Sequence, residues 1–66
     1  MDIASETKII YEFVEKGNYH AAMNITISAL NECRRNNNQA GVDSFLDVIK
    51  SITNTMAEEF GGQSGK

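Results

Sequence analysis

The sequence predicts an all-α fold on three observations. Apolar residues recur at three- and four-residue steps in three segments, glycine- and asparagine-rich breaks separate those segments, and no stretch alternates apolar and polar residues as a half-buried strand would. The predicted architecture is a single helical domain over residues 1–60, a helical hairpin plus a third amphipathic helix, with helices at about 3–16, 19–35 and 40–60. Residues 61–66 are expected to form a flexible tail, and oligomerisation is expected to complete the core.

In the first segment Ile3, Ile9, Ile10, Phe13 and Val14 supply the periodic apolar positions, and either Asp2 or Ser5 is suited to accept an orphan backbone N–H as N-cap. Glu12 and Lys16 stand in the favourable i,i+4 order, an interaction of a few tenths of a kcal/mol. Gly17 is the predicted stop, because the residue just past a helix often needs positive φ, which glycine adopts without steric cost.

Asn18 is the natural N-cap of the second segment. Its apolar positions, among them Tyr19, Ala22, Met23, Ile25, Ile27, Ala29, Leu30 and Cys33, wrap most of the circumference, which predicts a central helix touched from two sides. Arg34 and Arg35 close it as cations at the negative end of the macrodipole. Asn36, Asn37, Asn38 and Gln39 make a polar break, and one of the asparagines is expected to cap the third helix.

The third segment carries the cleanest pattern: Val42, Phe45, Leu46, Ile49, Ile52, Met56 and Phe60 fall on one face. Asp43 in its first turn suits the dipole, whereas Glu58 and Glu59 at its end face the negative pole. Gly61 to Lys66 lacks the GxxxxGK[ST] spacing of a phosphate loop and has no strand before it.

At 66 residues, with a net charge of -3, no proline and one cysteine, the chain is one small domain whose core is marginal by itself. Cys33 has no partner for an intramolecular disulfide and no CxxC or His/Cys cluster beside it, so neither staple is expected, and no cofactor is implied. The acidic start, Met1 to Glu6, has neither the basic n-region nor the apolar h-region of a secretory signal, and no apolar run approaches a membrane span; the expectation is a cytoplasmic protein without membrane contact. Asn24, Ile25 and Thr26 match a glycosylation acceptor, read in that context as ordinary helix.

Gly17-Asn18-Tyr19-His20-Ala21-Ala22-Met23, followed by Ala29-Leu30, resembles the inter-helix turn and second helix of a tetratricopeptide repeat. Gly17, Tyr19, Ala22, Ala29 and Leu30 sit at matching spacings within residues 9–30, and Ile9 and Phe13 occupy apolar positions of the first helix; Ile10 stands where the family places a small residue, and no proline ends the second helix. The resemblance implies one repeat-like helical hairpin, against the three or more repeats that such solenoids need. In size, acidity and lack of catalytic apparatus the chain is also similar to small early accessory proteins of bacteriophages.

Candidate chemistry is sparse. His20 in the first turn of the second helix reads as a surface residue, with Glu12 and Glu15 the carboxylates within reach across the turn; Cys33 reads as a small buried hydrophobe. Asp43 with Asp47, and Glu12 with Glu15, lie outside the apolar stripes and read as solvated faces. Arg34 and Arg35, beside three asparagines, are the candidate nucleic-acid contacts, although the net acidity opposes phosphate neutralisation. No nucleophile, base and orienting group are set together, so no enzyme is expected.

The large apolar side chains are too many for three short helices to cover in a monomer, and surplus of this kind belongs to partner surfaces. The expected function is a small non-enzymatic protein–protein interaction or regulatory module acting as a homodimer or higher oligomer on a further protein partner; the alternative is a small helix-turn-helix-like nucleic-acid regulator. The interface is expected on Val42, Phe45, Leu46, Ile49, Ile52, Met56 and Phe60, with the distal half of the third helix projecting past the hairpin so that Met56 and Phe60 meet the partner.

Overall fold

The computed structural model describes residues 2–60, which form three helices: α1 (Ile3–Glu15), α2 (Tyr19–Arg35) and α3 (Gln39–Glu59). The all-α prediction holds, and each helix boundary falls within a residue of its expected place. Residues 61–66, expected as a tail, lie outside the described residues. No helix among the described residues is long and apolar enough to cross a membrane.

Capping chemistry sets each start. Asp2 rather than Ser5 caps α1: its carboxylate accepts from the Ala4 N–H at 3.2 Å, and the Ser5 hydroxyl donates to the same carboxylate at 2.7 Å. Asn18 accepts from the Ala21 N–H at 3.3 Å, and Asn38 accepts from the Gly41 N–H at 3.1 Å.

The two corners share one hydrogen-bond scheme. At the first, the Gly17 N–H donates to the Val14 carbonyl at 3.0 Å and the Asn18 N–H to the Phe13 carbonyl at 2.9 Å; at the second, Asn37 donates to Arg34 at 3.2 Å and Asn38 to Cys33 at 2.8 Å. Both are Schellman closures, which satisfy carbonyls that the end of a helix leaves bare and require a left-handed residue just past it. Gly17 takes that position with φ +79° and Asn37 with φ +56°. The sequence identifies Gly17 by its type; Asn37 is legible only as part of a polar break.

Three-residue corners, 16–18 and 36–38, fold α2 back along α1 and α3 back along α2. The central helix α2 packs against both neighbours, which barely touch each other, as its wrapped apolar pattern predicts. The chain is accordingly elongated and flat, 39 × 23 × 15 Å. Ile10, Ala22, Ala29, Cys33, Phe45, Val48 and Ile52 form the buried core. Burying each large member stabilises the fold by about 1.5–3 kcal/mol, but α2 contributes only Ala22, Ala29, Cys33 and the fully buried Thr26. Thr26 is absent from the expected apolar set. Its hydroxyl donates to the Ala22 carbonyl one turn back at 2.7 Å, so the residue enters the core with its polar atom satisfied.

Small residues on α2 bring the helices close. A Cβ built on Gly41 would stand 2.5 Å from Cys33 Sγ, far inside van der Waals contact for a carbon and a sulfur that are not bonded, so the start of α3 meets the end of α2 this closely because residue 41 has no side chain.

Candidate interaction surface

The buried positions of α2 are 22, 26, 29 and 33, and those of α3 are 41, 45, 48 and 52. One set becomes the other by adding 19. The shift also carries Met23, Ile27 and Leu30 onto Val42, Leu46 and Ile49. Each helix therefore bears two stripes, one buried and a second rotated about 100° from it, since neighbouring residues are that far apart around a helix. Because the helices are antiparallel and their buried stripes face each other, equal rotations bring both second stripes to the same side of the pair. Contacts at the two ends agree: the Tyr19 and Phe60 rings meet edge to face at 6.0 Å at one end, and Arg34 shares a shallow cleft with Val42 at the other.

This side is not covered by α1. Glu6 of α1 lines a groove with Asn24, Ile25, Ser28, Ala29 and Glu32, and Ile25 lies about 200° around α2 from Ile27. Ile27 is 43% exposed and Leu46 46%, whereas Met23, Leu30, Val42 and Ile49 are half-buried. Phe60 at the end of the strip is 73% exposed despite its contact with Tyr19.

The expected interface therefore divides. Phe45 and Ile52 are fully buried within the chain and face α2, so they are core and not docking residues, a correction to their placement on a partner surface. Val42, Ile49 and Met56 are half-buried, and only Leu46 and Phe60 present substantial apolar area. The distal half of α3 does not project past the hairpin either: Met56 packs against the core, and Phe60 lies on Tyr19 at the first corner. A stripe as wide as that of α3 serves two surfaces, and periodicity alone does not divide it. The contribution of Met23, Ile27 and Leu30 escapes a reading that treats each helix separately; the 19-residue shift between the stripes is the signal that finds it.

Polar candidates stay apart. Arg35 donates to Glu32 at 2.6 Å, the salt bridge formed among the described residues, and Asn36 Nδ2 donates to the same carboxylate at 3.3 Å. The Arg35 hydrogen bond, helped by that of Asn36 and by the Arg35 charge, holds the Glu32 carboxyl below its usual range. Arg34 and Arg35 are both exposed, around a shallow depression with Asn31. The expected Glu12–Lys16 pair is replaced by Lys16 Nζ over the Phe13 ring, 6.0 Å from its centre. His20 is exposed, Cys33 is buried, and Asp43 accepts from Gln39 Nε2 at 3.0 Å. Among the described residues no three of His, Cys, Asp and Glu cluster in a way that would hold a metal ion.

No family model, curated protein or solved structure matches the chain.

Proposed function

We propose that the protein is a small protein–protein interaction module that works as a homo-oligomer. The observation that carries this reading is the continuous apolar strip on α2 and α3: Ile27, Leu46 and Phe60 remain in contact with water in a chain whose central helix contributes only small side chains to the core. Soluble monomers scatter exposed hydrophobes singly, whereas an aligned strip on two adjacent helices marks a surface built to be covered. Covering it by self-association also enlarges the marginal core of a 66-residue chain.

The nucleic-acid alternative draws less support, because Arg35 is engaged by Glu32, which among the described residues leaves Arg34 as the one member of the candidate pair outside a salt bridge. Sedimentation equilibrium tests the reading. The expected result is a species of twice 7.3 kDa or larger at micromolar concentration, dissociating on dilution; a helical 7.3 kDa monomer throughout overturns it. Salt-sensitive binding to duplex DNA by such a monomer would favour the alternative.

A further inference from the structure

We draw no further inference here: the strongest candidate, the shallow groove between α1 and α2 lined by Glu6, Ile25, Ala29 and Glu32, carries nothing, because Arg35 already engages the Glu32 carboxylate and nothing in the structure shows what covers the groove.

Discussion

The two corners of the molecule solve one problem with their glycines in different places. At the first corner glycine sits in the turn, at position 17 with φ +79°, where an added Cβ would meet nothing within 4 Å. At the second the turn belongs to Asn37, and the glycine has moved four residues on, to position 41 inside α3, where an added Cβ would strike Cys33. Gly17 is thus required by backbone conformation in open space, and Gly41 by the distance between two helices. Ala22, which the 19-residue shift relates to Gly41, is fully buried with a methyl group in place. The approach at the second corner is therefore the tighter of the two, and it holds the face on which the proposed interaction depends.

If that contrast is right, Gly41→Ala has the largest effect, about 1–3 kcal/mol of destabilisation in urea unfolding, because Cys33 and the α2–α3 packing must shift to admit a methyl group. Combining it with Cys33→Ala, which removes the obstructing sulfur, should make the loss smaller than the sum of the two single variants; strict additivity would place the strain elsewhere. Gly17→Ala should cost about 1 kcal/mol, from left-handed backbone strain alone. Its loss should not change on adding Cys33→Ala, which separates the two kinds of glycine. Asn37→Gly should stabilise the chain by a few tenths of a kcal/mol, since asparagine tolerates the left-handed region less well than glycine but pays less entropy to enter it.

The smallest effect concerns pH and acts on the second corner. Glu32 is held below its ordinary value of 4.5 by Arg35 and Asn36, so its contribution is present above that pH and is lost as pH falls through the lowered folded value. Asp2 behaves in the same direction from 3.8, chiefly through the Ser5 hydroxyl. Acid titration of helicity should therefore show α2's last turn loosening below about pH 4.5 and α1's first turn below about pH 3.8, and Glu32→Gln should remove the first component while leaving the second. Amide exchange that slows at Asn36 and Asn37 on acidification, after correction for intrinsic rates, would contradict this.

The sequence by itself determined what depends on neighbours within one helical turn. Residue type placed the N-caps at Asn18 and one of the asparagines before α3, the stop at Gly17, the boundaries of three helices and the small buried character of Cys33, because capping, left-handed turns and amphipathic spacing are local physics. What only the tertiary structure decided is how each wide stripe divides between core and surface. Phe45 and Leu46 are adjacent and equally apolar in sequence, yet one is fully buried and the other nearly half exposed. Their difference is set by where α2 lies, by a Cys33 sulfur that excludes a side chain at position 41, and by a Thr26 hydroxyl that donates to the Ala22 carbonyl and so enters the core. Burial is a property of what the chain brings alongside a residue, and no period along a single helix encodes the direction from which its partner arrives.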